Sequence, residues 1–203
     1  MKLLQKIRRY RWYLLGRFKI RMQIAKKHAE GHSVRIILGA GITTSPDWIS
    51  TDLPHFDITS KKDWGFLVAG VRIDNLLTEH VLEHLTDKDV QRVLVLAFKY
   101  LKPGGIIRNA VPDAYHPNED YRKITRPPAD GHLSSWNVDN LGLLLAQIGF
   151  KANWLEYYDK HGIYHSQQFD VVNGDIIRSK TLGIKNPEIK DYSSLIVDAI
   201  KLS

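Results

Sequence analysis

The stretch that decides the fold of this chain is residues 73–85, IDNLLTEHVLEHL, where an apolar strand pattern leads into a cluster of carboxylate and imidazole side chains. Upstream, residues 36–41 (IILGAG) place a glycine turn directly after another apolar strand. Downstream come PGG at residues 103–105 and VPD at residues 111–113. This order predicts an α/β domain in which strands and helices alternate, and it favours an enzyme that uses a nucleotide-type cofactor.

The composition is that of one globular domain. The chain has 203 residues, of which 43% are hydrophobic and 25% charged, enough for a sizeable core. It contains no cysteine, which excludes disulfides, thiolate zinc sites and cysteine nucleophiles. We find neither an apolar run of about 18 residues nor a cleavable signal, and therefore expect a cytoplasmic protein.

The positive charge is concentrated at the N-terminus. Residues 1–27 hold ten of the 29 basic residues and no acid, which leaves 19 basic against 22 acidic residues elsewhere. Helical spacing of apolar residues predicts a basic amphipathic helix over residues 1–30, continuous or broken near Gly16, before a domain over residues 31–203. The apolar residues at this spacing are Leu4, Ile7, Leu14, Phe18, Met22 and Ala25.

Three roles are open for this basic helix. Docking on the body of the protein is favoured, and peripheral contact with an anionic membrane surface, here the inner face of the cell membrane, comes second. Nucleic acid is the least favoured partner because no recognised binding motif accompanies the charge.

Periodicity and cap residues place the other elements. A helix opens at Thr86 and ends before Pro103, and a second covers residues 138–148 between Asn137 and Gly149. Residues 61–70 lack a regular pattern, and residues 113–133 predict a long loop. The fold class is therefore a Rossmann-like α/β domain, a mostly parallel sheet with helices on both faces, preceded by the basic helix. The predicted strands are residues 34–38, 48–53, 55–58, 72–77, 105–111, 154–158 and 194–200.

The segment Gly39-Ala40-Gly41 lets the backbone approach a ligand closely, but it is not a full dinucleotide fingerprint. No helix of normal length fits before Trp48, so a cofactor without phosphates is favoured. Asp52 ends the next strand and could accept hydrogen bonds from a ribose diol, or could be a solvated turn residue. Asp57 could serve an adenine amino group or cap a helix.

His80, Glu83 and His84 match the H-x-x-E-H pattern, in which two histidines on a helix bind zinc and the glutamate acts as base. A strand ends just before Glu79 and a new helix cap follows at Thr86, which argues against one continuous helical face. We therefore expect no metal, and a zinc-dependent hydrolase is the least favoured function. His132, in the long loop, could be a general base or a solvated histidine.

The order of these motifs along residues 34–158 resembles that of class I S-adenosylmethionine-dependent methyltransferases, especially small bacterial type 11-like predicted methyltransferases. Residues 194–201 resemble their last strand. The resemblance implies S-adenosylmethionine as cofactor, with His80 or His132 as the base where one is needed. It also implies that Gly39, Ala40 and Gly41 contact the methionine part of the cofactor and that Asp52 binds its ribose. Leu53, Asp57 and Ile58 would lie at the adenine. Glu79 and His80 would face the sulfonium.

The resemblance implies methyl transfer to a small-molecule or glycan acceptor, as in surface-polysaccharide biosynthesis. Positioning supplies much of the acceleration for such a reaction, because the methyl donor is already activated. Two departures leave a non-catalytic binding protein as the alternative: Ile37 stands where the family often has an acid, and residues 61–70 are irregular. Acceptor selectivity would come from residues 113–133 and 159–186.

Overall fold

The computed structural model of the chain describes residues 2–41, 43–183 and 192–202, except for the side chains of residues 2–4, 7 and 9. Three short 3-10 turns, Leu82–His84, Ala129–Gly131 and Val171–Asn173, lie between the longer elements. The helices are α1 (Lys2–Ala29), α2 (Lys61–Val68), α3 (Asp87–Tyr100), α4 (Glu119–Thr125) and α5 (Val138–Ile148). The strands are β1 (Arg35–Leu38), β2 (Ile49–Thr51), β3 (Ile73–Glu79), β4 (Leu101–Pro112), β5 (Phe150–Tyr158), β6 (Tyr164–Ser166) and β7 (Ser194–Lys201).

The described strands form one mixed sheet in the order β2-β1-β3-β4-β7-β5-β6. The pairs β1/β2, β1/β3 and β3/β4 are parallel. Strand β7 lies between β4 and β5 and is antiparallel to both, and β6 is antiparallel to β5. Five strands therefore share one direction, which confirms the predicted Rossmann-like, mostly parallel α/β fold with a helix before it.

Alternate residues of the strands serve two apolar cores. The larger core joins one face of the sheet to buried residues of α1, α2, α3 and α5. On the opposite face, Ile37, Leu77 and Ile196 pack with Phe169 and Ile176. This second face is thus covered by the stretch between β6 and residue 183, in which the described structure has only a 3-10 turn. Helices α1, α2, α3 and α5 all pack on the first face, so the expectation of helices on both faces is not met in the described structure.

Helix α1 is continuous through Gly16 and docks on the body with one side. Ile20 and Ile24 enter the larger core, and Arg17 forms an ion pair with Asp63 at 2.8 Å. The described side chains of the side predicted to be apolar face outward instead, whereas those of Leu4 and Ile7 lie outside the described part of the chain. The division into a helix and a separate domain stays a proposal. The exposed members of that predicted stripe are Leu14, Phe18, Met22 and Ala25.

Local signals at helix ends predicted α3 and α5 correctly. The hydroxyl of Thr86 accepts a hydrogen bond from the amide of Asp89, as expected for an N-cap. Asn137 caps α5 in a capping box with Asn140, and Gly149 ends α5 in a left-handed conformation.

The strand predicted at residues 55–58 is wrong. The amides of His55 and Phe56 donate to the carbonyl of Asp52, and the amide of Asp57 donates to the carboxylate of Asp63. These backbone groups are therefore satisfied within a turn and need no neighbouring strand. The alternation of Phe56 and Ile58 reflects burial of a loop in the core.

Three further segments differ from expectation. Residues 61–70, predicted to be irregular, contain α2, capped by Ser60. The long loop at residues 113–133 contains α4. Residues 103–105 do not form the helix stop, because α3 ends at Tyr100 and β4 begins at the next residue. They lie in a register shift between β3 and β4, where Ile73 pairs with Leu101 but Asn75 pairs with Ile106.

Candidate active site

A cavity of about 410 Å³ lies beyond the C-terminal ends of β1 and β3. In open α/β sheets, ligands bind at this edge, and the volume falls within the usual range for small-molecule pockets. Its wall contains the glycine turn at residues 39–41 together with Glu79, His80 and His132. The sheet therefore brings together six of the residues predicted for the site.

The glycine turn leaves β1 in a conformation that suits glycine. Gly39 and Gly41 have φ values of 64° and 53°, and a Cβ on Gly41 would meet no atom within 4 Å. Asp52 braces this turn, because Oδ2 accepts from the Gly41 amide at 2.8 Å and Oδ1 from the Leu53 amide at 2.7 Å. The described residues between Gly41 and β2 contain no helix, as the sequence indicated.

Glu79, the last residue of β3, contributes to the cavity wall and has one buried carboxylate oxygen without a hydrogen-bond partner among the described residues. Its Oε1 accepts a hydrogen bond from the Arg178 amide at 2.8 Å. Its Oε2 is buried and has no hydrogen-bond partner among the described residues. Burial raises the pKa of Glu79, and the Arg178 amide opposes this shift. A cation bound in the cavity would lie near this carboxylate and offset the cost of its desolvation.

His80 lies immediately after β3 in a left-handed conformation, with φ of 53°, which is uncommon for a residue other than glycine. Its Nε2 lies 3.0 Å from the hydroxyl oxygen of Ser194. That hydroxyl donates its only proton to the carbonyl of Arg178, so Nε2 of His80 is the donor to Ser194. Its Nδ1 lies 3.0 Å from Oε1 of Glu83. Nε2 is thus engaged in a hydrogen bond, and Nδ1 lies beside a buried carboxylate.

His132 has one ring nitrogen fixed and the other available. Nδ1 lies 2.5 Å from the carbonyl oxygen of Thr125, which can only accept, so Nδ1 carries the proton. In the neutral ring Nε2 then holds a lone pair. The next two residues, Leu133 and Ser134, donate their amides to the carbonyl of Glu83, which ties the loop to the corner after β3. Of the two predicted bases, His132 has the freer nitrogen.

The H-x-x-E-H segment does not form a zinc-binding helix. His80 is left-handed, and the following turn, Leu82–His84, is a 3-10 helix rather than an α-helix. His80 and His84 therefore do not share a helical face, as the cap at Thr86 indicated. Leu82 is fully buried and anchors the corner, whereas the side chain of His84 is exposed and its ring meets that of His132.

Four predicted cofactor residues lie outside the cavity wall. Asp52 is connected to it through Gly41, as described above. Leu53 is 69% exposed, and Ile58 is buried in the larger core. Asp57 accepts hydrogen bonds from the amide and hydroxyl of Thr59. The contacts of these four residues to a cofactor stay predictions.

Arg178 and Tyr192 are among the residues of the cavity wall that the sequence analysis missed. Arg178 belongs to the stretch that covers the second face of the sheet. The ring of Tyr192 packs against those of His80 and Tyr121, and burial raises its pKa well above the ordinary value. Neither lies in a motif, and only the chain path places them here.

The comparisons with known proteins give structural matches alone. No family model matches this chain, and no curated protein does. A methyltransferase from Archaeoglobus fulgidus, described as S-adenosylmethionine-dependent, is 15% identical with a TM-score of 0.48, covering 90% of this chain and 94% of that one. A Thermotoga maritima protein, described as a possible histamine N-methyltransferase, is 13% identical with a TM-score of 0.47, covering 97% of both chains.

A third solved structure is magnesium protoporphyrin IX methyltransferase from Synechocystis with bound S-adenosylhomocysteine, 9% identical, with a TM-score of 0.46 and coverage of 92% and 84%. The fold is Rossmann-like. That assignment rests on the strand order and directions of this sheet, because matches at these TM-scores carry no argument about activity.

Proposed function

We propose that this protein is an S-adenosylmethionine-dependent methyltransferase. The observation that carries the proposal is the buried carboxylate of Glu79 in the wall of a cavity bounded on one side by the glycine turn at residues 39–41, with Oε2 lacking a hydrogen-bond partner among the described residues. A sulfonium cofactor has the positive charge that such a carboxylate favours and lacks the phosphates that would need a helix N-terminus. The names of the structural neighbours are consistent with this proposal.

The turn and the residues beside it would hold the cofactor. Gly39, Ala40 and Gly41 would contact its methionine part, and the space beside Gly41 supports such an approach. Each carboxylate oxygen of Asp52 accepts one backbone hydrogen bond and keeps a lone pair for a ribose hydroxyl. The adenine would lie near Leu53, whose exposed side chain could cover it, with Asp57 and Ile58 at the adenine edge.

S-adenosylmethionine, when bound, supplies a methyl group that is already activated. The residues of this chain would position the acceptor in line with it and accept a proton if the acceptor is a hydroxyl or a protonated amine. His80 and His132 are the proposed catalytic residues. The lone pair on Nε2 of His132 supports a role in proton removal, whereas in a neutral His80 the lone pair is on Nδ1, which lies beside Glu83.

The acceptor is proposed to be a small molecule or a glycan, in surface-polysaccharide biosynthesis in the cytoplasm. Polar side chains at the cavity wall, among them Thr125, Asp130 and Arg178, support an acceptor rich in hydroxyl groups.

We further propose peripheral contact of α1 with an anionic membrane. Among the described helices, none is long and apolar enough to cross a bilayer. The exposed side of α1 carries Leu15, Phe18 and Met22, which are 66%, 55% and 64% exposed, next to the exposed bases Lys19 and Lys26. Apolar residues flanked by basic ones support insertion at an anionic headgroup layer.

Titration calorimetry with S-adenosylmethionine and S-adenosylhomocysteine tests the proposed function. We expect both to bind, and Asp52→Ala and Asp52→Asn to weaken binding at least tenfold. The matched control is Asp47→Asn, which changes an 81% exposed carboxylate on the same segment and should leave affinity unchanged. Absence of binding at millimolar cofactor would reject the proposal. Binding without methylation of any acceptor in an extract screen would favour the non-catalytic alternative.

A further inference from the structure

Three side chains converge at the rim of the cavity, and the proposed function gives them no role in common. Glu83, His84 and His132 each offer one ligand atom, and these atoms lie within 4.8 Å of one another. Glu83 and His132 are buried and His84 is exposed, so the cluster lies between the protein interior and solvent. All three residues line the cavity that holds the glycine turn.

Glu83 has the features of a carboxylate that needs a further partner. Its side chain is 2% exposed, and neither carboxylate oxygen has a hydrogen bond of acceptable geometry among the described residues. Nδ1 of His80 lies 3.0 Å from Oε1, within ion-pair distance, but forms no such hydrogen bond, and Oε2 has no hydrogen-bond partner among the described residues. A buried carboxylate without hydrogen bonds is costly, and a bound cation is one of the few groups that offset the cost.

The two histidines supply nitrogen ligands in suitable positions. His132 donates Nδ1–H to the carbonyl of Thr125, which is the arrangement that orients a metal-binding histidine and leaves Nε2 as the ligand. The Glu83 carbonyl binds the amides of Leu133 and Ser134, so the backbone holds His132 beside Glu83 before any ion arrives. The ring centroids of His84 and His132 are 4.8 Å apart.

We propose that Glu83, His84 and His132 bind one divalent transition-metal ion, with Zn²⁺ the ion that these ligands favour. Two imidazoles and a carboxylate form a set that binds zinc and leaves a coordination position open. Tetrahedral bonds of about 2 Å place ligand atoms roughly 3.3 Å apart, so distances of up to 4.8 Å would have to shorten by at most about 1.5 Å. His84, at the exposed end, can move most easily.

The site differs from the H-x-x-E-H pattern, since it uses His132 in place of His80. Because all three ligands line the cavity, the ion would be reachable from it and would hold an oxygen of the acceptor, a role that rests on the proposed methyltransferase function. With the ion bound, Nε2 of His132 is a ligand, and the acceptor hydroxyl would be activated by the ion. Metal binding itself is independent of the cofactor.

Calorimetry and metal analysis of the full chain, purified without a histidine tag, test the site with Zn²⁺ as the probe. We expect one ion per chain and a rise in the midpoint of thermal unfolding on adding Zn²⁺. His84→Ala, His132→Ala and Glu83→Gln should each weaken Zn²⁺ binding at least tenfold. His161→Ala removes an exposed histidine outside the cluster and should leave the affinity unchanged.

His84→Ala is the decisive variant because its side chain is exposed and its loss should leave the fold intact, as circular dichroism would verify. A wild-type dissociation constant above 1 mM for Zn²⁺, or equal losses in His84→Ala and His161→Ala, would overturn the proposal. Calorimetry with S-adenosylhomocysteine on the same samples separates the outcomes, since cofactor binding without zinc binding rejects only the metal site.

Discussion

Arg108 of β4 and Asp198 of β7 form a buried two-point ion pair across the antiparallel part of the sheet. Nε and Nη2 of Arg108 donate to the two carboxylate oxygens of Asp198 at 2.7 and 2.8 Å. The third nitrogen, Nη1, donates to the carbonyls of Asp170 and Gly174. The pair therefore joins the sheet to the stretch between β6 and residue 183, which covers the second face of the sheet. The same stretch contains Arg178, whose amide binds Glu79.

Removing the charge of Asp198 should destabilise the protein severely. Asp198→Asn leaves the fully buried guanidinium of Arg108 without a counter-charge, and we expect the free energy of unfolding to fall by about 3–5 kcal/mol. Urea unfolding at pH 7 measures it. The control Asp120→Asn changes a carboxylate that is 88% exposed and should alter stability by less than about 0.5 kcal/mol. Equal effects of the two variants would contradict a structural role for the buried pair.

Asp113 should make the stability of the protein depend on pH. Burial raises its pKa from 3.8 to about 6, although its oxygens accept the amides of Tyr158 and Tyr115. The folded state therefore holds the proton more tightly than the unfolded state. The resulting stabilisation is complete below pH 3.8 and is lost as the pH rises through 6.

Asp113→Asn tests this linkage. Going from pH 7.5 to 4.5, wild type should gain about 2 kcal/mol in unfolding free energy relative to the variant, since a shift of one pKa unit corresponds to about 1.4 kcal/mol. The comparison is made by urea unfolding at both pH values. The variant also loses one accepted hydrogen bond, which lowers its stability at both pH values and cancels in the comparison. A difference that does not change with pH would show that Asp113 has no raised pKa.

Glu79→Gln should distinguish the two forms of the cofactor. S-adenosylmethionine carries a positive sulfonium and S-adenosylhomocysteine does not, so loss of the carboxylate charge should weaken the first at least tenfold and the second little. For the same reason, the affinity of wild type for S-adenosylmethionine should fall as the pH drops through the raised pKa of Glu79. Calorimetry across pH measures both effects. Equal losses for the two ligands would mean that Glu79 does not face the sulfonium.

The exposed side of α1 should determine membrane contact. Replacing Leu15, Phe18 and Met22 together by Ser removes an exposed apolar side, and we expect co-sedimentation with anionic phosphatidylserine vesicles to fall several-fold. Neutral phosphatidylcholine vesicles should bind neither protein. A matched triple change at other exposed apolar positions, Val95, Leu143 and Ile163 to Ser, controls for general loss of apolar surface. Unchanged binding in the α1 variant would reject the membrane proposal.

The outward side of α1 shows how far apolar spacing can be interpreted. The basic helix was predicted correctly, but Leu14, Phe18 and Met22 were expected to form its apolar side. The structure docks Ile20, Ile24 and the charged Arg17 instead. Spacing identifies residues that share a side of a helix, whereas the side that is buried depends on its neighbours, here the carboxylate of Asp63 on α2.

Sequence signals that span only a few residues were sufficient to predict α3 and α5, the short connection after Gly41 and the β3 corner at Glu79. Their cap hydrogen bonds and backbone angles are local, so the sequence alone determines them. Tertiary structure decided which functional groups meet. The amide of Arg178 reaches Glu79 across 99 positions, and His132 comes to Glu83 only because the loop after α4 returns to the β3 corner. Such meetings follow from sheet register and chain path, which no local pattern encodes.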